Sequence, residues 1–317
     1  MLFFTGCAPK KIIVQYNVVS VPEEGGIQFT QYTDDGVVGP VVTKSETGFI
    51  NWYAAPLIDV SYDGKQVAYI DEKSGNYNIF IRNILGGRST IQRTFRNRVM
   101  DMAFSPNGEK IAFTDADVGN ENIYVINAKQ GAAIQQVTTS SSSELGPCYS
   151  NDNEYIFFTK NENSRYYVWS FNTKSSLMTQ YGEGYTPCLT PDGENLIVTR
   201  TNKTTFRGEI WMINIKTGQE TLLLNDANKG YSSPRVSPDG KRIVCVGTTN
   251  KTATRPENLD IYTFKIDGTD LQQHTFHGGH DVSPVWGADG QSIFFLGQRG
   301  NEKGLWNVWR MQFKSTL

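Results

Sequence analysis

Three histidines, four cysteines and a formal net charge of −2 are little for a chain of 317 residues, and each scarcity removes a class of function. A pI near 6.0 with dispersed Lys and Arg leaves no basic footprint for nucleic acid. No run approaches the roughly 18 apolar residues that a membrane-crossing helix needs. Cys-x-x-Cys is missing, and Cys148, Cys188 and Cys245 are an odd number inside expected strands. A disulfide framework is therefore not expected, nor is metal ligation by these thiols. There is no Gly-x-Ser-x-Gly elbow, and all three histidines fall in one short stretch, so a nucleophilic enzyme is not expected either.

Glycine is abundant, at 30 residues, and much of it sits in one recurring phrase. Ser237-Pro238-Asp239-Gly240-Lys241-Arg242-Ile243 has counterparts that begin at Ser61, Ser105, Ser150, Thr190 and Gly287, at steps of 44, 45, 40, 47 and 50 residues. A period near 45 is the length of one four-stranded propeller blade. Each copy lies between two short apolar runs and has the chemistry of a type I turn: Pro presets φ, Asp or Asn suits the third place, and Gly accepts φ > 0 at the fourth. Asn153 replaces that Gly in the third copy and is expected to be left-handed, since Asn tolerates this conformation next best.

About half a repeat later comes a β-branched residue followed by an aromatic one: Ile79-Phe80, Ile123-Tyr124, Val168-Trp169, Ile210-Trp211, Ile261-Tyr262 and Val308-Trp309. Such pairs suit a strand packed on both faces between neighbouring blades, so these aromatics are expected in the core. Cys148 and Cys188 share one repeat position, two before the Ser or Thr of the turn, which places them on adjacent blades as small buried side chains. The sixth copy stops after its third strand. Pro40-Val41-Val42-Thr43 resembles the missing fourth and is expected to close the ring beside residues 306–313, while Ile27 to Thr33 is a further strand of unassigned place.

The expected fold is therefore all-β: a six-bladed β-propeller of four-stranded antiparallel blades over residues 27–317, closed by an N-terminal strand. The S-P-D-G-K turns and the Ile-Tyr-Val strand after them resemble the propeller of the TolB family. The resemblance implies a secreted or periplasmic scaffold that binds other envelope components, here without the α/β domain that precedes the propeller in that family. The N-terminus, Phe4-Thr5-Gly6-Cys7, resembles the end of a bacterial lipoprotein signal peptide. That likeness implies lipid on Cys7, a signal remnant at residues 1–7, a tether at residues 8–26, and a true start upstream of Met1.

Connections from each outer strand to the next inner strand gather around the channel at one end of a propeller. That rim collects Trp52, Arg96, Arg98, Tyr185, Tyr231, His277, His280 and Asp281, with Glu144, Glu183 and Lys229, and aromatic and Arg side chains are typical interface anchors. The expected function is non-catalytic binding of an envelope protein or peptide by a monomer without a cofactor, held at a bacterial membrane, the outer one in the first instance, only through Cys7. A glycan-binding or glycan-cleaving protein that uses His277, His280 and Asp281, with or without a divalent ion, is the alternative. Spacing by three on a strand end sends His274 and His277 to opposite faces, which disfavours a metal there. Asp115 and Asp117 invite a calcium reading, but Gly75-Asn76 and Gly300-Asn301 recur at the matching place without them, so a turn is expected.

Overall fold

The computed structural model describes residues 23–24, 26–40, 42–44, 50–52, 55–86, 89–116, 119–129, 133–249, 257–299 and 304–313. Five four-stranded antiparallel sheets follow one another along the chain, with inner strands Ile58–Val60, Val99–Phe104, Glu144–Tyr149, Tyr185–Leu189 and Tyr231–Val236. A sixth sheet contains Asp281–Trp286, Ser292–Gly297 and Asn307–Gln312. Each inner strand lies beside the next, and that of blade six returns to that of blade one, so the sheets form a six-bladed propeller.

The turns explain the repeat. In all six, the amide of the fourth residue donates to the carbonyl of the first, as from Gly240 to Ser237 at 2.9 Å and from Asn153 to Ser150 at 2.9 Å. The fourth residue is left-handed throughout, with φ of 69° at Gly64, 63° at Asn153 and 72° at Gly240. The first residue's hydroxyl ties the turn, donating to the third residue's side-chain oxygen (Ser237 to Asp239, 2.6 Å; Ser105 to Asn107, 2.8 Å) and accepting the amide that opens the next strand (Arg242, 3.0 Å). Blade six has Gly287 in the first place, and there Ser292 supplies the hydroxyl to Asp289 at 2.9 Å. A Cβ on Gly287 would meet Ser292 Oγ at 2.2 Å, so serine cannot occupy both places.

The third strand of each blade carries a residue sealed in the core. Ile79, Ile123, Val168, Ile210, Ile261 and Val308 are all fully buried, and each such side chain contributes roughly 1.5–3 kcal/mol. Phe80, Tyr124, Tyr262 and Trp309 are buried beside them, while Trp169 and Trp211 are half-buried.

The ring is closed by Ile27–Gln31, which pairs with Asn307–Gln312 in the register Phe29 to Met311 and Gln31 to Trp309. Glu23–Glu24 adds a fifth strand outside it. The expectation that residues 40–43 do this is corrected, since Val42–Lys44 pairs with Ile50–Trp52 in a separate hairpin. The reason is a latch that residues 40–43 cannot make. In blades one, two, five and six the outer strand ends in Gln-x-Thr. The threonine hydroxyl accepts an amide of the third strand, Thr94 from Ile79, Thr138 from Ile123, Thr275 from Ile261 and Thr33 from Val308, each at 2.9 Å. The glutamine amide donates to the threonine carbonyl, as from Gln31 to Thr33 at 2.7 Å and from Gln92 to Thr94 at 2.8 Å. Gln31-Tyr32-Thr33 carries this motif, and Phe29, buried on the inward face, anchors it edge-on to Phe295 at 6.1 Å.

Candidate functional site

Strands alternate in direction, so one end of the ring carries the connections into each inner strand together with the hairpins between second and third strands. A buried asparagine from the third strand holds each of three such connections. Asn78 donates to the Arg96 carbonyl (3.0 Å) and accepts its amide (2.7 Å). Asn258 donates to the carbonyls of His277 (2.8 Å) and Gly279 (3.0 Å). Asn307 accepts from the Thr33 hydroxyl (3.1 Å) and the Gly36 amide (3.3 Å). The connections are thus fixed by the wall beneath them.

The sequence-selected residues divide on this rim. Arg98 is exposed, and Tyr185 is half-buried with its ring 5.9 Å from that of Tyr166, edge to face. Burial raises the Tyr185 hydroxyl above its ordinary value. Arg96 instead turns inward, bonds the fully buried Asp115 carboxylate and lies 5.5 Å from the Tyr124 ring centre. Tyr231 is only 1% exposed and packs edge-on against Tyr262 at 5.9 Å, so it belongs to the wall and not to the rim surface. Trp52 lies on strand Ile50–Trp52, and its side chain is outside the described residues, as are Cys7 and Asp117.

The histidine cluster comes apart. His274 Nε2 meets the Thr263 hydroxyl at 2.7 Å, and its ring packs on Phe313. His277 Nδ1 accepts the Gly279 amide at 2.9 Å. His280 Nδ1 accepts the Leu259 amide at 3.2 Å while its ring stacks on Trp306 at 6.5 Å. Burial lowers the His274 and His280 imidazoles to about 4, so both are neutral packing groups near pH 7. Asp281 is fully buried in a two-point ion pair with Arg299, whose guanidinium also covers Phe29 at 4.3 Å. Among the described residues no three His, Cys, Asp or Glu side chains converge as metal ligands.

What the rim does present is aromatic. Phe95 is 74% exposed, Phe206 72%, Phe276 45% and Tyr166 37%, and all four lie on connections or hairpins of this end. Phe95 and Phe276 sit inside the runs that drew attention for their charged and histidine residues, so a search for exposed apolar residues in loops would have found them. The second set that the sequence left unassembled lines the channel two residues before each turn: Asp59, Ala103, Cys148, Cys188, Arg235 and Val285. Burial raises the Asp59 carboxyl to about 6 against the opposing pull of the Phe104 amide and Arg235.

A closed ring of six four-stranded blades with exposed aromatics at one rim defines a six-bladed β-propeller. The chain belongs to the TolB β-propeller domain family, whose model matches residues 35–244. It is similar to the Tol-Pal system protein TolB of Francisella tularensis subsp. mediasiatica (strain FSC147), 28% identical over 197 residues. That match covers 60% of this chain and 45% of the relative, less than half the relative's length. Among solved structures it resembles TolB from Acinetobacter baumannii, with a TM-score of 0.63, 17% identity, and 79% and 64% of the two chains covered. It also resembles oligogalacturonate lyase from Vibrio parahaemolyticus, with a TM-score of 0.58, 10% identity, and 92% and 95% covered. At these identities the structural likenesses concern the fold alone.

Proposed function

We propose that this protein is a non-catalytic binding propeller of the bacterial cell envelope, monomeric, that takes a protein or peptide partner on the rim. The observation that carries this reading is the group of Phe95, Phe206, Phe276 and Tyr166, exposed together at one end of the ring, where Arg96 and Asp281 are committed inward. Exposed aromatics held on rigid connections lose little entropy on binding and act as anchors, with Arg98 beside them for an acidic or carbonyl partner group. Kinship with a Tol-Pal system protein supports a periplasmic or cell-surface location. Lipid attachment at Cys7 completes the proposal and is tested by labelled palmitate, which the native gene product incorporates and a Cys7→Ser product does not.

The binding reading is tested by capture from detergent-solubilised envelopes of the native host. A Phe95→Ser, Tyr185→Ala, Phe276→Ser variant with unchanged melting loses a protein that the native chain retains. A Leu85→Ser, Leu177→Ser variant alters residues 93% and 70% exposed at the opposite end and keeps it. Equal capture by all three proteins, or loss only in the second variant, refutes the rim assignment.

A further inference from the structure

Cys148 on Glu144–Tyr149 and Cys188 on Tyr185–Leu189 hold one repeat position on the inner strands of blades three and four. A side chain at this position reaches the backbone of the following blade. Asp59 Oδ2 accepts the Phe104 amide at 2.7 Å, and Cys188 Sγ accepts the Val236 amide at 3.4 Å. Cys148 reaches likewise toward the Leu189 amide and there lies beside Cys188, while its own S–H donates to the Tyr149 carbonyl at 3.6 Å and that of Cys188 to the Leu189 carbonyl at 3.8 Å. The repeat thus brings together two thiols that lie 40 residues apart in sequence, at a wall where Cys148 is half-buried and Cys188 is 8% exposed.

The surroundings favour a thiolate on one of them. Cys188 has the Cys148 thiol beside it, lies in the field of the Arg235 guanidinium and accepts the Val236 amide, and these neighbours together hold it below the ordinary thiol value, while Cys148 is pushed up. Cys245, fully buried in the second strand of blade five, has no such partners, and burial alone raises it. The same Arg235 charge repels a cation, and no third ligand converges among the described residues, so metal capture is the poorer use of the pair.

We propose that Cys148 and Cys188 form a reactive dithiol at the channel wall that exchanges with small disulfides and closes to a bridge between blades three and four. The Cys188 thiolate attacks one sulfur of a small disulfide RSSR, which forms Cys188–S–SR as the reagent's S–S bond breaks. The expelled thiolate takes a proton from solvent, equal to the one Cys188 gave up. Cys148 then attacks the Cys188 sulfur, its proton passing to the second RS− as it leaves. Two protein thiols are oxidised, RSSR is reduced to two RSH, and no further oxidant enters.

The test uses the full chain with Cys7→Ser and oxidised glutathione at neutral pH. Titratable thiols fall from three to one, the peptides of Cys148 and Cys188 appear linked, and Cys245 stays reduced. Cys148→Ser stops at a stable glutathione adduct on Cys188. Cys188→Ser reacts at least about tenfold more slowly, as loss of the thiolate requires. The proposal is overturned if Cys148 and Cys188 are as inert as Cys245, or if each takes up glutathione separately without the linked peptides appearing.

Discussion

Replacing Phe29 by alanine tests how the ring is closed. Phe29 is 8% exposed, sits edge-on to Phe295 at 6.1 Å and carries the Arg299 guanidinium at 4.3 Å over its face. A buried Phe→Ala change costs about 3–5 kcal/mol, and loss of the cation contact places this site in the middle of that range. About 4 kcal/mol in a domain of this size lowers the melting midpoint by about 8 °C. Thr30 belongs to the same strand but points outward, so Thr30→Ala shifts the midpoint by no more than about 1 °C. Calorimetry gives both numbers, and hydrogen exchange at Asn307–Gln312 reports whether the partner strand opens first. A Phe29→Ala midpoint within 2 °C of native would mean that the strand frays without cost. The closure account would then be wrong.

The turns predict a matched pair of changes. Asn153→Gly, at φ 63°, stabilises by about 0.5–1 kcal/mol, whereas Gly240→Ala, at φ 72°, destabilises by about 1–2 kcal/mol in denaturant titrations. Asp281→Asn leaves the Arg299 guanidinium buried without its counter-charge and costs about 3–5 kcal/mol in the same assay; a change under 1 kcal/mol would show that the pair is not internal. Acid weakens the fold in two stages. His274 is neutral in the native state down to about 4 but protonates near 6.5 when unfolded, so the unfolded chain binds more protons and stability falls as pH drops between those values. The linkage is roughly 3 kcal/mol for His274 alone, and His274→Gln flattens the measured slope over that window. Below it, Asp63, Asp192 and Asp239 follow. The Ser61, Thr190 and Ser237 hydroxyls hold these carboxyls below 3.8, so the stability they contribute is complete above that value and is lost as pH falls through their folded values.

Much of the architecture was legible because it rests on local chemistry repeated six times. The turn phrase fixed hairpin positions, and Asn153 obeyed the same steric rule as the glycines it replaces. The closing strand was misplaced because residues 40–43 match in apolar pattern alone. The motif that identifies the true strand, Gln31-Tyr32-Thr33, is defined by hydrogen bonds to a third strand 275 residues away for Thr33 and Val308. Those bonds become visible as a repeat only once Thr94, Thr138 and Thr275 are seen making them.

The candidate site divides along the same line. Residue type marked Arg96, Tyr231, His280 and Asp281 as binding groups, but whether a side chain meets solvent or the wall depends on which strand or connection packs behind it. Tyr231 met Tyr262, Arg96 met Asp115, and Asp281 met Arg299. The sequence by itself determined blade number, turn conformation and the third-strand core, since these follow from spacing and from backbone sterics within a few residues. Only the tertiary structure decided which strand closes the ring, which rim residues are exposed and that two thiols on neighbouring blades lie side by side, because each depends on contacts between different strands, from 18 residues apart for Asp281 and Arg299 to 275 for Thr33 and Val308.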